Sequence, residues 1–210
     1  MGAIKLLCVD GGILENVLIQ NIILDQVQGP IFIRLGDRGA AYQTPEKGSD
    51  RVKVGAIRNV TLRNIQGTVK ATEANRSGIM ITGIPGHMIA GLKLEDIDIS
   101  FPGMGPAEEK PIVVPEDERR YPEQYFFGKL PSYGLYIRHA EDVVLDRIRL
   151  RYNDQEERPA IVLNDVSNFS IADSSMKADK AGAIVVTKCC DVSVTGCVFR
   201  GNAAALIDAC

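Results

Sequence analysis

The sequence predicts an all-β chain, one domain over residues 1–210 wound into a parallel β-helix, and three observations predict it. One nine-residue pattern recurs six times: an apolar residue, two polar or small ones, then alternating apolar positions. Asn or Asp stands just before the first alternating apolar residue in five of the six, where a tight bend favours it. A second short apolar run follows each pattern, and no segment keeps a helical period beyond two turns.

In chain order the six segments are 14–22, 57–65, 89–97, 140–148, 166–174 and 189–197. Leu14-Glu15-Asn16-Val17-Leu18-Ile19-Gln20-Asn21-Ile22 and Ile57-Arg58-Asn59-Val60-Thr61-Leu62-Arg63-Asn64-Ile65 show the pattern most plainly. Each alternates with period two and reads as a short strand with one buried face. The runs that follow are Ile31-Phe32-Ile33, Ile79-Met80-Ile81, Leu135-Tyr136-Ile137, Ile161-Val162-Leu163, Ile184-Val185-Val186 and Ala205-Leu206-Ile207. Counted at positions 16, 59, 91, 142, 168 and 191, the segments lie 43, 32, 51, 26 and 23 residues apart. The last two intervals set a coil of about two dozen residues, and the longer ones are that coil plus insertions. One such coil cannot bury its inward face alone, whereas a stack of about six gives every strand partners and one continuous core. A β-sandwich also uses many short strands, but it gives no reason for the repeated bend–strand–strand unit.

Two insertions break the rhythm, 37–55 and 101–132. The first carries Gly, Pro and charge (Asp37-Arg38-Gly39, Pro45-Glu46-Lys47-Gly48). The second interleaves charge with rings, from Pro115-Glu116-Asp117-Glu118-Arg119-Arg120 through Tyr121-Pro122-Glu123-Gln124-Tyr125-Phe126-Phe127. Long solenoid loops often build the binding surface. Rings that stack on sugar faces and arginines that pair with carboxylates suit sugar recognition, with Arg120, Tyr121 and Tyr125 as contacts. The alternative is a loop folded down so that Tyr121, Tyr125, Phe126 and Phe127 cover the coil's flank, since four exposed rings would make a large patch.

A formal net charge of −3 and a pI near 5.5 argue against nucleic acid or an anionic membrane as the main partner. No apolar run approaches the length of a membrane span, and Met1–Asp10 does not read as a signal peptide. Localisation is left open. Cys8, Cys189, Cys190, Cys197 and Cys210 are odd in number and lack C-x-x-C spacing, and only two histidines accompany them. Reduced thiols are expected rather than a zinc site, and no cofactor is expected.

The blocks Tyr121-Pro122-Glu123, Phe127-Gly128-Lys129-Leu130-Pro131, Tyr133-Gly134-Leu135-Tyr136 and Arg138-His139 resemble the C-terminal region of bacterial glycoside hydrolase family 28. Gly11-Gly12-Ile13-Leu14-Glu15-Asn16-Val17, Gln20-Asn21-Ile22 and Pro30-Ile31-Phe32-Ile33-Arg34-Leu35-Gly36 are similar to its preceding coils. That family comprises polygalacturonases and related pectin-degrading enzymes, and the resemblance implies a right-handed helix and inverting hydrolysis of a glycosidic bond by paired carboxyl groups. The family's Asn-x-Asp, Asp-Asp and Gly-His-Gly motifs do not occur in the sequence, so no catalytic residue is assigned. Its Arg-Ile-Lys motif, which holds the substrate carboxylate, is halved to Ala3-Ile4-Lys5. The resemblance thus leaves Lys5 as a substrate contact. Arg38 with Asp37 stands as an anion contact, the alternative being a solvated arginine paired with Asp37. His139, after Arg138, is a sugar contact or a residue that fixes the bend between coils. The acidic runs Glu116-Asp117-Glu118 and Glu156-Glu157 read as solvated surface.

Three functions follow as expectations. The first is the C-terminal part, truncated at its N-terminus, of a polygalacturonase-like hydrolase of pectic polysaccharide, inactive alone. The alternative is a stand-alone carbohydrate-binding or assembly module without catalysis. An enzyme with a different site, built on Lys5, Asp10, Asp37 and Arg38, is the third. An exposed coil end is an open row of strand edges, so a homo-oligomer, or an N-terminal cap formed by swapped segments, is also expected.

Overall fold

The computed structural model describes residues 2–39, 52–71, 78–179, 182–201 and 207–209. They form a parallel β-helix. Its strands are β1 (Gly2–Cys8), β2 (Ile13–Val27), β3 (Gly29–Leu35), β4 (Ala56–Val69), β5 (Ile79–Thr82), β6 (Ile89–Phe101), β7 (Leu135–Tyr152), β8 (Ile161–Ala172), β9 (Ser175–Lys177), β10 (Ile184–Thr187), β11 (Cys190–Thr195), β12 (Val198–Arg200) and β13 (Ile207–Ala209). Every pairing between them is parallel. The register realises the sequence repeat: Val17 sits opposite Val60, Val60 opposite Leu92, Leu92 opposite Val143, Val143 opposite Phe169, and Phe169 opposite Val192.

The anchor positions are the bends. Asn16, Asn59, Gly91, Asp142, Asn168 and Asp191 all have φ between 51° and 67°, the left-handed region that Asn, Asp and Gly enter most readily. A second bend lies five residues later, at Asn21, Asn64, Asp96, Arg147, Asp173 and Gly196. A third lies three residues before the anchor in the later coils, at His139, Asp165 and Lys188. Each long strand therefore folds around corners, and the coil has three faces rather than the two the repeat suggests. The stretch Gly2–Cys8, which the repeat leaves out, is the first strand of face one. It is continued by β3, β5, the starts of β7 and β8, then β10 and β13.

Side chains at equivalent bends stack into ladders. Asn59 Nδ2 donates to Asn16 Oδ1 at 3.2 Å, Asn64 Nδ2 to Asn21 Oδ1 at 2.8 Å, and Asn168 Nδ2 to Asp142 Oδ1 at 2.6 Å. Arg147, a side chain less at ease in this conformation, is held by Asp96 and Asp146. Inside, the inward columns are fully buried: Val60, Leu92 and Val143, Leu62, Leu94 and Leu145, and Ile33, Ile81 and Ile137.

The segment after β6 runs back across the outside of face one. It contains two short 3-10 turns, Ala107–Glu109 and Gln124–Phe127. Phe127 is its plug, buried with Phe32, Met80, Val114, Leu130, Tyr136 and Val162 in a second small core. The return to β7 explains the most specific block of the sequence in structural terms. Tyr133 is buried edge-on to Phe101 and Tyr152, and its hydroxyl donates to Lys177 O at 2.7 Å. A Cβ on Gly134 would lie 2.7 Å from Ala160 O, so the approach of the next coil requires glycine. Replacing Tyr133 by Phe removes the donor and leaves buried carbonyls without it. A loss of about 1–2 kcal/mol in a urea melt is expected, and an unchanged midpoint would show that the hydroxyl contributes nothing.

Candidate functional site

Outward residues of face one form two files along the helix axis. One runs Lys5, Phe32, Met80, Tyr136, Val162 and Val185; the other runs Leu7, Arg34, Thr82, Arg138, Asn164 and Thr187. The inserted segment crosses both files, and two buried arginines fasten it. Arg34 Nη1 donates to Thr82 Oγ1 at 2.8 Å and Gly83 O at 3.2 Å, while Nη2 donates to Glu116 O at 2.7 Å and Asp117 O at 3.2 Å. Its guanidinium also lies over the Phe127 ring, 4.9 Å from the centroid. Burial, with Arg138 nearby, pushes Arg34 down to about 10, which still leaves it charged at neutral pH. Arg138 donates to Val114 O at 2.7 Å and Pro115 O at 3.0 Å and meets Glu116 Oε1 at 3.1 Å.

The stretch 116–127 of this insertion supplies or touches every substrate contact expected from the sequence. Lys5 Nζ reaches both carboxylate oxygens of Glu123, at 2.9 and 2.8 Å. The Asp37 backbone N–H donates to Glu118 O at 2.7 Å. Arg38 grips Asp10 through Nε and Nη2, and its guanidinium lies over the Tyr121 ring, 5.3 Å from the centroid. The hydrogen bond to Asp10 holds the Arg38 guanidinium above its ordinary value. The partner of Arg38 is thus Asp10, not Asp37, because the chain leaving β3 passes the end of β1. Arg120 pairs with Asp117 at 2.9 Å and lies 4.5 Å from the Phe126 ring, which in turn sits 4.2 Å from Tyr125.

His139 is apart from this rim, at the corner where β7 leaves face one. Its Nδ1 lies 2.5 Å from Asp165 Oδ2 and its Nε2 3.1 Å from Glu116 Oε1. The imidazole ties the corner of one coil to the next and to the insertion. Replacing His139 by Gln is expected to loosen the 114–118 stretch, read as faster amide exchange there.

Of the four rings at 121–127, only Phe127 is buried; Tyr121 is 56% and Tyr125 48% exposed. The loop therefore both covers the flank and leaves two tyrosines outward. Glu116 and Asp117 are in ion pairs, and Glu156 corrects the reading of the acidic runs as solvated. Glu156 is buried, takes Arg158 Nε and Nη2 at 2.9 Å each, and accepts the Gly105 backbone N–H at 3.2 Å. Spacing gave no signal for Glu123, Glu116 or Arg34, because they meet their partners across 118, 23 and 48 residues of chain.

Under the insertion's edge, face one carries a slot of about 550 Å³ between Lys110–Val114 and the shelf of Val162, Asn164, Val185 and Thr187. The face that follows the second bend, built from the ends of β2, β4, β6 and β7 with β9 and β12, carries a polar groove of about 920 Å³ edged by Arg149, Arg151, Lys177 and Arg200. Among the described residues no group of three or more His, Cys, Asp or Glu is placed to hold a metal ion, and no helix is long and apolar enough to cross a membrane. Cys8, Cys189, Cys190 and Cys197 are free thiols; burial pushes Cys8 and Cys189 up, which makes them poor nucleophiles. Cys210 and residues 40–51 of the first insertion lie outside the described residues.

A family model described as a right-handed β-helix region matches residues 47–209. No curated protein and no solved structure matches the chain.

Proposed function

From the premise that the chain belongs to the family of right-handed β-helix regions, we propose that it is the polysaccharide-gripping, C-terminal part of a polygalacturonase-like glycoside hydrolase scaffold, taking an acidic polysaccharide of the pectic class. One observation carries the reading. Two cations and one outward ring converge on a single turn of the insertion: Lys5 on Glu123, and Arg38 under Tyr121, whose carbonyl accepts the Glu123 N–H at 2.9 Å. Both cations are accessible, with side chains 29% and 33% exposed.

The chemistry suits a uronide. A carboxylate on the sugar ring replaces Asp10 or Glu123 opposite the cation, and the ring of Tyr121 covers the apolar face of the sugar. The carboxylates here are partners of cations. An inverting hydrolysis needs one carboxylic acid and one carboxylate base facing each other across the bond, and the sequence holds none of the motifs that supply them. The part played by these residues is therefore grip, not cleavage.

Isothermal titration of the chain with a galacturonate oligosaccharide tests this. Binding is expected to weaken about tenfold in Arg38→Ala and in Lys5→Ala, to vanish for the methyl-esterified oligosaccharide, and to strengthen in Asp10→Asn, which releases Arg38. Equal binding of the acid and the ester, or indifference to both substitutions, would sink the reading.

A further inference from the structure

We propose that the groove on the face following the second bend is a separate binding site, for an anionic polysaccharide lying along the helix axis. Its outward side chains form a file of cations. Ser100 sits opposite Arg151, and Lys177 opposite Arg200. Leu150 sits opposite Met176, so the residues that follow them, Arg151 and Lys177, are neighbours in the same file. Three cations thus occupy three successive coils at the strand spacing of about 4.8 Å, with Arg149 beside them. Like charges directly opposite each other across strands are destabilising, and the protein's own carboxylates offset them only in part. One carboxylate, Asp98, serves both Arg149, at 3.0 Å, and Arg151, at 2.5 Å, while Asp179 stays 3.9 Å from Lys177. Around the groove four cations stand against two carboxylates, Asp173 and Asp179, on a chain whose net charge is −3.

The surroundings select the class of ligand. Beside the cations the groove presents Asn153, Asp173 and Ser175, groups that exchange hydrogen bonds with hydroxyls. The aromatic ring in the groove, Tyr152, is buried; its hydroxyl donates to Asp179 at 2.6 Å, and Lys177 Nζ lies 4.1 Å from its centroid. Among the described residues the groove therefore offers no exposed ring for a base to stack on, which argues against a single-stranded nucleic acid. Guanidinium forks pair well with planar oxyanions, so the acidic group on the sugar is a carboxylate or a sulfate ester. A linear sugar chain advances by a step comparable to the strand spacing, and one chain laid along the file meets successive cations. The site shares no residue with the rim of Lys5, Arg38 and Tyr121 and stands whether or not that rim binds.

Isothermal titration of the 210-residue chain with the rim disabled by Lys5→Ala and Arg38→Ala tests the proposal, using a galacturonate oligosaccharide, dextran sulfate and uncharged dextran. At least one anionic chain is expected to bind and uncharged dextran to fail; the tighter of the two names the acidic group. Adding Arg151→Gln is expected to weaken binding about tenfold, and Lys177→Gln to weaken it again. Asp98→Asn, which releases both arginines, is expected to strengthen it severalfold, a gain that damage to the fold cannot produce. Arg58→Gln with Lys93→Gln removes two exposed cations elsewhere on the coils and is expected to leave binding unchanged. Failure of both anionic chains to bind overturns the proposal. So does an equal loss in the Arg58 and Lys93 variant, which would reduce the effect to bulk charge, and so does indifference to Asp98→Asn. Galacturonate binding by the unaltered chain that disappears entirely with the rim overturns the groove and leaves the rim reading standing.

Discussion

Replacing Arg34 by Met is expected to lower the unfolding free energy by about 3 kcal/mol or more and to open the 102–132 segment to protease. Two opposed effects set the magnitude. The buried guanidinium carries a cost, visible as its fall to about 10 through burial and then the nearby Arg138 charge, and its removal recovers about 3 kcal/mol at most. Against this stand four hydrogen bonds from a charged donor, each contributing about 1.5–3 kcal/mol, and the Phe127 ring beneath. The bonds win even when they are far from additive, and their loss leaves Thr82 and three carbonyls to find water or go without. Three of the four acceptors lie in main-chain segments outside the strands, so the damage falls on the insertion before the coils. Arg34→Lys keeps the charge but not the fork and should fall between the two. A urea midpoint within about 0.5 kcal/mol of wild type, with the insertion still resistant to protease, would show that Phe127 and Arg138 hold the segment without Arg34.

How much of this was legible beforehand depends on what kind of physics places each residue. The anchor bends could be read because a left-handed corner selects Asn, Asp or Gly, and the five intervals between them reappear as the strand register. The second corner has the same signature at Asn21, Asn64, Asp96, Asp173 and Gly196, but a period-two alternation runs straight through it and masks it. The third corner, at His139, Asp165 and Lys188, has no common residue type and left nothing to read. The insertion's inward and outward rings differ only by position, and Phe127 rather than Tyr121 is buried because the Gln124–Phe127 turn aims it at Phe32 and Met80. Lys5 and Arg38 stand out by the family resemblance and Tyr121 by residue type, but no pattern in the sequence brings the three together. The carboxylate partners Asp10 and Glu123 come from chain crossings that no local pattern encodes.

Phe169→Ala is expected to remove about 3–5 kcal/mol, and where that loss appears is as informative as its size. Phe169 is fully buried, between Val143 of the preceding coil and Val192 of the next. A stack of coils touches only its nearest neighbours, so its stability is close to a sum of coil and interface contributions. The coil beyond Phe169 has little of its own: Val192, Val194 and Phe199 are only partly buried. With the ring gone, residues 161–200 are expected to open as one unit while the coils built from β4 to β7 keep their protection. Leu145→Ala, at a fully buried position one coil earlier, should instead cut the stack nearer its middle and weaken both sides. Amide hydrogen exchange separates these outcomes residue by residue. Protection lost first after Ile161 in Phe169→Ala supports a solenoid that unravels from its last coil. A uniform fall across all coils would mean that the insertion, fastened to face one through Arg34 and Arg138, couples the coils into a single cooperative body.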